Sequence, residues 1–251
     1  MEKKYLIELR TRWECPEDGG PALLTMPNIP KPLHGSGMQP RTIFGQTAWD
    51  RMRKRAYYLA KYKSEISGEL AAGAGALHAH EAYTINYIDG TSVFKRIFAI
   101  TPLEHVYFIH SGRALTLHKQ GNPMYSAKKL LEGAEHGFKL IYDWNKAHPD
   151  KQKLKVYSTF LEYLKCDDLR EGMEKLIDQY EMEFWEEDQK KCAKWGDWKV
   201  IVGNKEYPTP YKTYKDWEKA MEKQSKNDPD RNFESPFKGG AYDEIASLLA
   251  E

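Results

Sequence analysis

Cysteine is scarce in this 251-residue chain, and the three present, Cys15, Cys166 and Cys192, are far apart and odd in number. They build neither a disulfide framework nor a thiolate metal knuckle, which suits a reducing compartment. An excess of charge of either sign is also missing. With 38 basic residues against 37 acidic ones, no overall field argues for nucleic acid or a membrane, so any such argument has to come from local patches. There is no run of eighteen apolar residues and no signal-peptide core at the start. The protein is therefore expected to be soluble and cytoplasmic, with no membrane partner. Gly-rich phosphate loops, a Ser-His-Asp arrangement and a redox pair are absent as well. What remains is a chain long enough to bury a core, rich in aromatics, with seven Trp and sixteen Tyr.

The chemistry concentrates in one stretch. Residues 77 to 118 hold five of the eight histidines, His78, His80, His105, His110 and His118, at the two ends of the stretch. Between them, Tyr83 to Tyr87 and Val93 to Ile100 are β-branched and aromatic runs joined at Asp89-Gly90, a hairpin signal. A hairpin folds the ends together and brings His78, His80 and Glu81 near His105 and His110, where an apolar run opens a helix. Imidazole with carboxylate suits one divalent transition metal, or magnesium with fewer nitrogens. Strand alternation puts His78 and His80 on one face and Glu81 on the other, so His80 and Glu81 share a centre only if the strand ends or bulges there.

LHAHEAYTINY followed by TPLEHVYFIHSGR resembles the HNH endonucleases of the ββα-metal fold, in the phage and bacterial branch. The flanks PNIPKPLHG, PRTIFG, AWDRMRKRAYYLAKY and DWKVIVGNKEYPTPYKTYKDWEKAM extend the likeness over most of residues 27 to 221. Two departures stand out. The family's CxxCG reads Ser64-Glu65-Ile66-Ser67-Gly68 here, and no cysteine remains near Pro102 to His105. Serine is a poor zinc donor, so no structural zinc is expected and something else must order that turn. The helix histidine one turn before His110 is either displaced to His105 or lost, with Val106 in its place. Five residues do not bring two side chains to one face of an α-helix.

The resemblance implies an α+β protein with a ββα-metal centre, and a metal-dependent endonuclease cutting nucleic acid, most simply DNA. One divalent ion, Mg or Mn first and Zn or Ni next, would be held by His80, His110 and His105. His80, Glu81 or His78 would draw the proton from water, and Arg113 would contact phosphate. The setting implied is a bacterial or phage-infected cell. The alternative is an inactive scaffold of the same descent that binds nucleic acid or a host protein.

The best local nucleic-acid signal lies before the hairpin. Arg41, Arg51, Arg53, Lys54, Arg55, Lys61 and Lys63 face a single acid between residues 41 and 63, interleaved with Tyr57, Tyr58 and Tyr62 on a helix expected from Trp49 to Lys63. Arg41, Arg51, Arg53, Lys54 and Arg55 join Arg113 as candidate phosphate contacts. Residues 4 to 14 read as a strand, and 16 to 45 as mostly loop. Gly68 to Gly75 reads as a flexible turn. Ser126 caps a helix carrying His136, a packed or capped residue, and His148 follows as a linker residue. Leu169 through Phe184 mark one amphipathic helix in a segment with eleven acids against three bases between residues 162 and 188, a solvated face or a cover for the basic helix. Trp198 to Tyr211 form a hairpin, Thr213 caps a helix, residues 222 to 238 form a linker, and Ile245 to Leu249 a last short helix. The expected division is an N-terminal strand and extended region (1–47), an HNH-like domain with its basic leading helix (48–149) and a C-terminal extension (150–251).

Overall fold

The computed structural model describes residues 5–35, 37–70 and 76–227. It is a mixed α+β protein with two sheets. The expected first strand is split: β1 (Ile7–Arg10) and β2 (Arg12–Trp13) are separated by Thr11 and enter different sheets. The loop region that follows contains short 3-10 turns and a brief helix, α1 (Pro40–Phe44). The basic helix α2 runs Gln46–Leu59, starting earlier and ending sooner than its periodicity suggests.

Strands β3 (His78–Asn86) and β4 (Thr91–Ile100) form the hairpin. Its loop is four residues long; the Asn86 side chain accepts the N–H groups of Ile88 and Asp89, and Gly90 adopts the left-handed φ of 65° that closes the turn. A helical run follows: a π-helix from Leu103 to Ile109, then α3 (Ser111–Lys119). The helix α4 (Ala127–Ala147) is capped by Ser126, as read, and His148 closes it by stacking on Trp144.

Beyond β5 (Val156–Tyr157), helix α5 (Asp167–Gln179) is shorter than the apolar spacing suggested. Glu181 takes a left-handed φ of 50°, the chain turns, and Phe184 belongs to β6 (Phe184–Glu187). Several acids of this segment pair locally, Glu162 with Lys165, Asp167 with Arg170 and Glu171 with Lys175, while Glu183 pairs with Lys153 and Lys155 from before the segment. The hairpin β7 (Lys199–Val202) and β8 (Lys205–Pro208) agrees with its reading. Thr213 and Asp216 exchange backbone N–H bonds to cap α6 (Tyr214–Asn227), so the expected linker begins inside a helix. The turn at 71–75, the rest of that linker and the last short helix lie outside the described residues.

One sheet has the order β1-β6-β5, all parallel; the other is β2-β3-β4-β7-β8, in which β7 joins β4 in parallel. Strands from all three expected segments therefore share sheets, and one apolar core from Trp13 to Tyr207 runs through them. Among the described residues, no helix is long and apolar enough to cross a membrane.

The hairpin register decides what each face carries. His78 pairs with Ile100, His80 with Phe98 and Glu81 with Ile97, and the only shift falls between Ala82 and Tyr83. Alternation is thus unbroken through Glu81. The π-helix side of the sheet receives His78 and His80. The other side receives Glu81 and Tyr83, and there Phe44, at the end of α1, packs edge-on against Phe94, which in turn meets Tyr83.

Candidate metal centre

Four imidazoles meet over the end of the hairpin. His80 is buried, and its ring centre lies 5.2 Å from that of His105 and 5.0 Å from that of His110. His105 and His110 are 4.6 Å apart, and His78 is 4.9 Å from His105. One nitrogen each from His80, His105 and His110 lie within 4.8 Å of one another. Bonds of about 2.1 Å to a shared ion hold such nitrogens no more than about 4.2 Å apart, so small ring rotations close the set.

The five-residue spacing of His105 and His110 was expected to separate them, and the helix type reverses that. Residues 103 to 109 wind as a π-helix, and the His110 N–H donates to the His105 carbonyl at 3.0 Å, a bond spanning five residues. One π turn therefore carries the two rings onto one side. Val106 takes no part in the group.

The tautomers follow from the partners. His80 Nδ1 lies 2.8 Å from the Glu81 carbonyl, which only accepts, so Nδ1 holds the proton and Nε2 is left with its lone pair. His78 Nδ1 and His105 Nδ1 are 2.9 Å apart; with His105 Nδ1 donating to His78, His105 Nε2 keeps its lone pair for a metal. Each ring is held neutral. Burial pushes His80 down to about 4, and burial with the neighbouring rings and Arg113 pushes His105 to about 2. His110 falls to about 3 through burial, His80, Arg113 and His34. Burial also lowers His78. A buried, neutral, convergent set of lone pairs has the protonation state that metal binding requires.

The other sequence candidates separate into groups. Glu81 is not brought to the centre: it lies across the sheet, partly buried, where burial raises its carboxyl pKa and the Arg41 charge counters that shift. Arg113 is exposed one helical turn beyond His110, close enough for its charge to act on two of the rings. On α2, Arg53 bonds Asp50 at 2.7 Å, and Arg41 bonds Gln46 at 2.8 Å. Arg51, Lys54 and Arg55 fall on one exposed stripe with Tyr58, which is 70% exposed. His118 is a structural pin, set between the Tyr125 carbonyl and Asp168.

Two residues near the centre carried little sequence signal. His34, in the loop whose carbonyl takes the Trp217 indole N–H at 3.0 Å, adds to the field on His110. Glu104 is fully buried beside His105. Its carboxylate accepts the Ser64 hydroxyl and the Thr101 N–H, each at 2.7 Å, while the Thr101 hydroxyl takes the Glu104 N–H at 3.2 Å. This Thr-x-x-Glu box starts the π-helix. Ser64 also receives the Ile66 and Ser67 N–H groups, and Glu65 accepts the Ala99 N–H and pairs with Arg96, so hydrogen bonds and an ion pair order the serine-containing turn.

No family model, no curated protein and no solved structure matches the chain.

Proposed function

We propose that the protein is a metal-dependent phosphodiesterase acting on nucleic acid, with β3, β4 and the helical run 103–119 forming an HNH-like ββα-metal unit. The observation that carries this reading is the convergence of His80, His105 and His110 beside the exposed guanidinium of Arg113. Three imidazoles suit zinc, nickel or another transition ion, and rank magnesium last. When bound, the ion would supply a Lewis acid for a phosphoryl oxygen and lower the pKa of water. His80, His105 and His110 would hold it, and His78 would orient His105. Arg113, and His34 with it, would bind the phosphate; their charges already act on His110. Plasmid DNA incubated with the protein and Mn2+, Zn2+ or Ni2+ should be nicked, and His80→Ala and His110→Ala should each abolish nicking. Intact plasmid at high enzyme excess with every metal would end this reading.

One observation favours a second reading, an inactive scaffold that binds nucleic acid or a host protein. The hairpin separates the imidazoles from the face on which α1 packs, and the basic stripe of the adjoining helix has no need of the metal centre. Binding that survives both histidine substitutions, with no cleavage by the parent, would establish it.

A further inference from the structure

The π-helix is the element on which the metal reading depends, because an α-helix would turn His105 and His110 away from each other. Such helices are rare and short, so this one needs a cause. Two features of its packing supply one. The first is polar: Glu104, fixed by Thr101 and Ser64, turns its second oxygen towards His136 Nε2 on α4 at 3.5 Å. Neither of those two buried atoms has another partner. The second is steric. Gly133 and Gly137, one turn apart on α4, lie directly against Tyr107 and Phe108. A Cβ at Gly133 would run into Tyr107 Cβ, with the Tyr107 backbone 3.3 Å away, and one at Gly137 would overlap the Phe108 ring, with Cγ at 2.8 Å. Phe108 has little room to yield, being buried between Phe138 at 6.0 Å and Phe160 at 4.7 Å. The wider π turn thus occupies the space that the two glycines leave.

We propose that Glu104, His136, Gly133 and Gly137 are positioning residues for the metal centre: through them α4 holds residues 103 to 109 in the π form and keeps both helix ligands on one face. This rests on reading His80, His105 and His110 as a metal centre. It predicts that a change on α4, touching no ligand, alters metal binding, and that shortening the turn corrects the defect.

The test is cobalt titration of the full chain, followed by calorimetry and by the visible spectrum of the bound ion. Gly137→Ala should weaken Co2+ binding about 10- to 100-fold and change the spectrum, the scale on which supporting residues act on metal sites. Deleting Val106 in the Gly137→Ala chain places the two histidines four apart, which suits an α-helix, and should bring affinity back to within a few-fold of the parent with the parent's spectrum. A residue that served stability alone would not be rescued by shortening a different helix. If Gly137→Ala does not fold, His136→Gln carries the test, with a loss of about tenfold expected. Folded variants that bind cobalt as the parent does, or a deletion that restores nothing, overturn the proposal alone. A parent that binds no cobalt removes the metal centre and the proposal with it.

Discussion

Two buried polar clusters share the start of the helical run, and they meet burial in opposite ways. The Glu104 cluster carries its own compensation: a carboxylate, a histidine, two hydroxyls and a backbone N–H. Burial works against the Glu104 charge, yet His136, Ser64, Ser67 and Thr101 hold its pKa down to about 2, and Glu104 in turn raises that of His136. The imidazole cluster has no carboxylate in it. Its rings stay neutral because none can afford a proton. A cluster that satisfies itself is architecture, whereas one that converges lone pairs with no positive charge between them is a place for a cation.

The comparison can be broken first at Glu104. Removing it leaves the buried Nε2 of half-buried His136 without its partner and uncaps the π-helix, so Glu104→Ala should cost about 3 kcal/mol, read from the urea midpoint of the metal-free protein. Equal stability of variant and parent would make the pairing irrelevant.

Acid should separate the two clusters next. A group with a depressed folded pKa gives stability that is present above its unfolded value and lost as pH falls towards the folded one. For His80 that window runs from 6.5 down to about 4, worth roughly 3 kcal/mol at about 1.4 kcal/mol per unit. Glu104 loses its contribution only below 4.5, towards about 2. His136, raised, contributes fully below 6.5 and loses its contribution as pH climbs through its folded value. Between pH 6.5 and 4.5 the fall in stability should therefore come from the imidazole cluster, and His80→Leu should flatten it. An unchanged profile in that variant would place the acid-sensitive group elsewhere.

Metal should act on one cluster alone. At a free concentration a hundred times its Kd, Zn2+ should stabilise the parent by about 2.7 kcal/mol. His105→Ala should remove that gain and His118→Ala should keep it, in thermal unfolding with and without metal.

The smallest effect concerns the basic stripe. If Lys54 and Arg55 meet phosphates, replacing both with Ala should flatten the salt dependence of DNA affinity by up to about two units, at about 0.9 per phosphate. Arg53→Ala, whose guanidinium already serves Asp50, should change it less.

Much of this was legible in the chain, and the failures have physical causes. The hairpin announced itself through alternation and Asp-Gly, and His80 with His110 through their setting. His105 stood among the expected ligands, but its place on one side with His110 was not legible, because a period of 3.6 separates residues five apart and the turn is a π turn. The actual winding depends on Gly133 and Gly137, some thirty residues away, where no local pattern reveals it. Phe184 fitted a helical stripe by spacing, but Glu181's left-handed backbone had already ended the helix. His34 reaches the centre through a loop pinned by Trp217, a contact across most of the chain.

The parallel pairing of β1 with β6 sets a timetable for synthesis. Ile7 is made well before its register partner Phe184, which lies about 180 residues further along the chain. At about 5–20 residues per second, the first strand waits on the order of ten to forty seconds beside the ribosome without its neighbour. It carries Leu9, exposed even in the finished fold, and Leu6, 92% exposed, immediately precedes it. A nascent chain stalled before residue 184 should accordingly recruit a chaperone to the segment around β1, and one stalled after β6 has left the exit tunnel should release it.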